Sequence, residues 1–189
     1  TEQDLFTAFL LLATLSFGQK KLILGTFNAA IEDAHVISIA PDENTSSQIT
    51  TLPYAWTQQG EVNIARPYIR FDLSLLPKDA VVEEALLIYH YDPFSLTKLV
   101  DHTADNGFYI QRVIGPWDLS TITETTTAGN YNQPRVRSGG HDTKQNYVIN
   151  VTQLLKDLLA DTATGNQGFR LNLQFETPYH VVVLSNTRH

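Results

Sequence analysis

Cysteine is absent from the 189-residue chain. That excludes a disulfide framework, a zinc–thiolate or iron–sulfur centre, a thiol nucleophile and a cysteine-linked lipid, and it leaves the redox compartment unread. Basic charge is scarce too: 13 Lys and Arg stand against 20 Asp and Glu, a formal net charge of −7. No broad cationic field is there to hold a phosphate backbone, so nucleic acid is not an expected partner. Catalytic signatures are also lacking. His35, His90, His102, His141, His180 and His189 form no HExxH, no H-x-H and no pair at helical spacing, which leaves histidine ligation of a metal unsupported. There is no G-x-S-x-G, and nothing ties a serine to a histidine and an acid. Glu83-Glu84 reads as the solvated start of a strand rather than as a glycosidase pair, whose geometry is spatial. No enzymatic activity is expected.

What is present suits one packed domain, with 42% apolar and 17% charged residues. Leu5 to Phe17, LFTAFLLLATLSF, carries no charge and is too short to cross a bilayer comfortably as a helix. It has the form of a secretory h-region, with Ser16 and Gly18 at the spacing of a cleavage site. Glu2 and Asp4 depart from that pattern. Residues 1–18 are therefore read either as a signal-like segment or as a retained apolar arm, and residues 19–189 as a single domain.

Turn-forming clusters recur at short intervals beyond Gln19: PDENTSS, TQQGE, TADNG, AGNYNQP, SGGHD and TATGNQG among them. Between them, Tyr68 to Leu73 alternates, with Ile69, Phe71 and Leu73 on one side. Phe169, Leu171, Leu173 and Phe175 alternate with Arg170, Asn172 and Gln174, as in a half-buried strand. Ala85 to Tyr89 and Val181 to Leu184 are nearly continuous apolar runs, the pattern of central strands. VTQLLKDLLA differs, because Val151, Leu154, Leu155, Leu158 and Leu159 share one helical face, with Asn150 placed as the N-cap. The expected fold is all-β, an antiparallel β-sandwich of jelly-roll or Greek-key type, with one short helix near 150–160.

The order of segments carries a resemblance. RPYIRFDLSLLP (66–77), VVEEALLIYHY (81–91), IQRVIGPWDLSTIT (110–123), NQP (132–134), VINVTQLLKDLL (148–159) and NQGFRLNLQ (166–174) resemble, in sequence and order, the DNRLRE-domain family. The likeness spans roughly residues 28–187. It implies a β-sandwich module of secreted or surface proteins, chiefly bacterial, of a family classed among carbohydrate-binding modules. Glu124 stands where that family usually has Trp, and the family's usual final strand has no counterpart before His189.

Residues outside any clean alternation supply the candidate sites. Tyr54, Trp56 and Tyr131, with the amides of Gln58, Gln59, Asn130 and Asn132, have the chemistry of a sugar platform, rings for C–H faces and amides for hydroxyls. Rings half-buried under loops would read the same way. Asp101, Asp105 and Asn106 could offer oxygens to calcium, or form an ordinary acidic turn; no other cofactor is expected. Arg70 and Asp72 read as a structural ion pair or as part of a polar-face ladder that fixes register, and Trp117 as closing one end of the core. The leading expectation is a non-catalytic, secreted or cell-surface module that binds polysaccharide or another surface component. The alternative is a filament subunit assembled by strand donation from the apolar N-terminal arm.

Overall fold

The computed structural model describes residues 20–46, 52–93, 103–127, 129, 131–140 and 144–185, with the backbone alone at 132–134. The N-terminal segment 1–18 and Asp101 lie outside the described residues. The elements follow in the order β1 (Ile31–Ile37), β2 (Tyr54–Gln58), β3 (Glu61–Phe71), β4 (Leu86–Tyr89), β5 (Phe108–Val113), α1 (Glu124–Thr127), β6 (Tyr131–Arg137), β7 (Tyr147–Asn150), α2 (Thr152–Ala160), β8 (Phe169–Leu173) and β9 (His180–Val181). The fold is all-β with antiparallel sheets, as the turn spacing predicts. No described helix is long and apolar enough to cross a membrane.

The larger sheet is organised by β3. β1 pairs along one edge of it, from Ile37 opposite Ala65 to Ile31 opposite Phe71. The other edge is divided: β2 takes Glu61–Ala65, through the turn at Gln59 and Gly60, and β8 takes Tyr68 and Ile69. Both turn residues have positive φ, 54° and 89°, the geometry of a two-residue hairpin loop. Pro67, which has no N–H to donate, falls at the handover, where neither β2 nor β8 needs one. Beyond β8 the sheet continues to β5 and β6, and beyond β2 to β9. Gly168 admits β8 to its place. It sits at φ 72°, and a Cβ there would come within 2.1 Å of the Ile69 carbonyl oxygen, so only glycine fits.

The smaller sheet pairs β4 with β7. Leu87, Tyr89, Tyr147 and Ile149 turn inward and meet Ile69, Phe108, Ile110, Phe169, Leu171 and Leu173 of the larger sheet in one core. The Phe108 and Tyr147 rings meet edge-on, centroids 4.9 Å apart. α2 closes this core with Leu154 and Leu158, next to Val151; of the face its periodicity predicts, Leu155 is half-buried and Leu159 is exposed. Asn150 Oδ1 accepts the Thr152 N–H at 3.0 Å. It thus supplies the capping bond from one residue before the geometric cap, Val151.

Two expectations need correction. β4 is not a central strand: Leu86 and Ile88 are 47% and 51% exposed, so the apolar run alternates and leaves an apolar outer face with Val148. Tyr68 and Arg170, read as the solvated sides of half-buried strands, are 1% and 6% exposed. Over Tyr68 the cause is the segment 114–127, which lays Trp117, Leu119 and Ile122 over Ala34, Val36, Tyr68 and Val113 as a second apolar cluster on the opposite face of the sheet; over Arg170 it is the Tyr131 ring, 4.0 Å from the guanidinium. Trp117 is a core residue, as expected: its Nε1–H donates to the Gln167 carbonyl at 2.8 Å, and the Arg70 guanidinium lies 4.4 Å from its ring centroid. Arg70 pairs with Glu32 across the β1–β3 ladder rather than with Asp72. Asp72 instead accepts from the Ser74 N–H and hydroxyl, closing a turn.

One ion pair ties α2 to β5. Arg112 Nη1 donates to Asp161 Oδ2 at 2.7 Å, just past the helix end. That bond, with those from Thr164 and Ala163, holds the Asp161 carboxyl well below the usual carboxylate range. The folded state therefore releases this proton more readily than the unfolded chain does. The contribution is complete above the unfolded value of about 3.9 and is lost as pH falls below it.

Two predictions follow from this packing. Leu171→Ala should cost about 2–5 kcal/mol in urea denaturation, through lost burial and a cavity, whereas Ile88→Ala on the outer face of β4 should cost under about 1 kcal/mol. Asp161→Asn should lower the urea midpoint at pH 7, and its difference from the parent should shrink as pH falls below 4.

Candidate functional site

The predicted aromatic platform divides. Tyr131 lies on β6, three strands out from β3, and its ring carries the Arg170 guanidinium 4.0 Å from its centroid. Tyr54 and Trp56 lie on β2, beside the other half of β3. The Tyr54 hydroxyl accepts from Asn63 Nδ2 at 3.0 Å, and burial pushes its pKa up. Its ring packs with Leu52, Val181 and Val183, a half-buried structural position. Trp56 meets Tyr179 edge-on, centroids 5.1 Å apart and planes at 87°. No ring contact joins Tyr131 to either of them among the described residues. The side chains of Asn132 and Asn130 lie outside the described residues.

Of the calcium candidates, Asn106 is buried and serves the core: Tyr147 Oη donates to its carbonyl at 3.0 Å and lies 3.1 Å from its Oδ1. Asp105 Oδ1 accepts the Gly107 N–H at 3.2 Å, as a turn-closing carboxylate does. Among the described residues no three His, Asp or Glu side chains converge as metal ligands.

Tyr131 instead belongs to a face that strand order assembles. Strand register places side chains in rows, because residues directly opposite in antiparallel strands share a face. One row runs Arg135, Gln111, Arg170, Tyr68 across β6, β5, β8 and β3; the next runs Arg137, Tyr109, Asn172. The Arg135 guanidinium lies 3.7 Å from the Tyr109 ring centroid, and Arg137 Nε donates to Gln174 Oε1. Arg170, buried among these groups, donates to Gln111 Oε1 at 3.3 Å. Its Nε has no hydrogen-bond partner among the described residues.

The described arginines thus fall into two sets. Arg66, Arg70 and Arg112 each make a carboxylate ion pair. Arg135, Arg137 and Arg170 make none among the described residues, and all three lie on the β6–β5–β8 face. Arg135 and Arg137 are exposed. A patch of positive charge interleaved with tyrosine and amide groups therefore sits on a chain of net charge −7. Strand alternation alone sets Arg135 and Arg137 on one face of β6; the pairing of β5 with both β6 and β8 adds Arg170, and residues 109–112 give no sequence signal of that pairing.

Arg66 anchors the fork between β2 and β8. Its Nε and Nη2 donate to the two carboxylate oxygens of Glu176 at 2.8 and 2.6 Å, and its Nη1 donates to Glu124 at 2.5 Å. Glu124, the position that departs from the DNRLRE pattern, thus answers to this arginine. Glu176 belongs to the 174–179 loop, which fills the fork and delivers Tyr179 to Trp56.

No protein-family model matches the chain, and no curated protein matches it. The likeness to the DNRLRE family rests on the ordered segments quoted above.

Glu176→Gln should break one arm of the bidentate grip and cost about 1–3 kcal/mol, the range for a charge-assisted hydrogen bond. Hydrogen exchange should show faster amide exchange in 174–180 while β5 and β8 keep their protection.

Proposed function

We propose that the protein is a non-catalytic, extracellular carbohydrate-binding module whose β6–β5–β8 face takes acidic polysaccharide. The observation that carries this reading is the sorting of arginines: on a strongly acidic chain, three without a carboxylate partner among the described residues share one face with Tyr109 and Tyr131. Exposed Arg135 and Arg137 offer planar donor forks to the carboxylate or sulfate groups of a sugar chain. Arg170 adds positive potential from beneath Tyr131, where low dielectric lengthens its reach. Stacking on the rings and hydrogen bonds from neighbouring amides suit the rest of each sugar. The resemblance to a family classed among carbohydrate-binding modules supports the same reading, and the surface location is part of it.

Affinity electrophoresis in gels containing dextran sulfate, polygalacturonate or uncharged dextran tests it. The protein should be retarded by one or both anionic polymers and not by dextran, with retardation falling as salt rises. Arg135→Ala combined with Arg137→Ala should weaken binding at least tenfold, with an unchanged melting temperature, and EDTA should have no effect. Equal retardation by dextran, or undiminished binding by the double variant, rejects the reading; loss of binding in EDTA transfers it to calcium.

A further inference from the structure

The β2–β9 margin carries a second feature that the arginine face does not explain. Tyr179 is 58% exposed yet stands at φ 70°, a left-handed conformation that costs a bulky residue of its kind free energy and persists only where the surroundings impose it. They do so here at three points. Glu176 is gripped by Arg66, Thr103 Oγ1 donates to the Tyr179 carbonyl at 2.9 Å, and His180 Nδ1–H donates to the Thr177 carbonyl at 2.9 Å. This strained, pinned loop holds an aromatic ring in solvent, perpendicular to half-buried Trp56.

A structural ring would be turned inward, and a loop under no functional demand would place glycine at such a φ. We infer that Trp56 and Tyr179 form a second, separate binding site, for the flat C–H face of a neutral β-linked sugar chain. The chemistry around the rings selects that occupant. Gln58, two residues on from Trp56 and so on the same face of β2, offers an amide, spending only its Oε1 on Asn63. The one acidic side chain of the 174–179 loop, Glu176, is consumed by Arg66. The corner thus offers aromatic faces and an amide, with the exposed Glu61 carboxylate opposite Gln58 as an acceptor for sugar hydroxyls that would repel an anionic chain, which suits a neutral pyranose with hydroxyls on its rim. The inference shares with the proposed function only the class of ligand. Its residues are different, and the two sites can fail independently.

Titration with cellohexaose and with β-1,4-mannohexaose, followed by calorimetry and tryptophan fluorescence, tests it. At least one should bind saturably and perturb Trp56 emission. Tyr179→Gly removes the ring and relieves the backbone strain, so it should weaken binding at least tenfold while the melting temperature holds or rises. Trp56→Ala should weaken binding similarly, and Arg135→Ala with Arg137→Ala should leave it unchanged. Three results overturn the inference: no saturable binding by the parent protein to either sugar, Tyr179→Gly binding as tightly as the parent, or loss of binding in the arginine variant. A concentration-dependent dimer in sedimentation that Tyr179→Gly abolishes also overturns it, since the rings would then be a contact between copies.

Discussion

One edge of β3 has to serve two strands. β1 occupies the opposite edge, so β2 and β8 stand in tandem on this one, and the sheet divides at Arg66 and Pro67. Much of the architecture answers that division. Glycine at 168 lets β8 approach closely, proline at 67 occupies the point where no donor is needed, and Arg66 collects two carboxylates from segments distant in sequence. The loop that closes the division must carry an acid to meet Arg66, and it does. Both candidate surfaces then inherit their geometry from the split, one on the β8 branch and the other on the β2 branch.

Electrostatics divides along the same line. An acidic chain has carboxylates to spare, and Arg66, Arg70 and Arg112 take theirs at junctions: between branches, between β1 and β3, and between α2 and β5. Burying Arg170 without a carboxylate among the described residues is costly unless its charge is otherwise stabilised. The Tyr131 ring over it and the Gln111 side-chain carbonyl beside it do part of that work. A carboxylate at position 111 would stabilise the fold more simply. An amide there keeps the face positive.

Local pattern reveals local structure and little beyond it. The alternation of Phe169, Leu171 and Leu173, the helical face of Leu154 and Leu158, and the core role of Trp117 are legible because each depends on near neighbours. The burial of Tyr68 and Arg170 is not, since the cover on their face comes from elsewhere in the chain, the segment 114–127 over Tyr68 and the Tyr131 ring over Arg170. The same limit explains β4, whose unbroken apolar run looks central although Leu86 and Ile88 point outward. Tyr54, Trp56 and Tyr131 share a composition but not a location, because strand order decides which rings meet. Tyr179 has no periodicity to betray it; a bulky residue at positive φ is visible only in the backbone. The arginine face is hidden for a related reason, as its members come from β6 and β8, joined only through β5.

The insertion of β8 between β5 and β3 has a consequence for the time course of folding. β1, β2 and β3 can pair as soon as they leave the ribosome, since their connections are short. β8 lies far downstream of both its neighbours, and closing such long loops before any contact rewards them makes this step slow. Until it occurs, β5 and β6 have no hydrogen-bonded path to β3, and the row through Arg135, Gln111 and Arg170 does not exist. The arginine face is therefore a property of the finished chain, and an unfinished one lacks the surface on which the proposed binding depends.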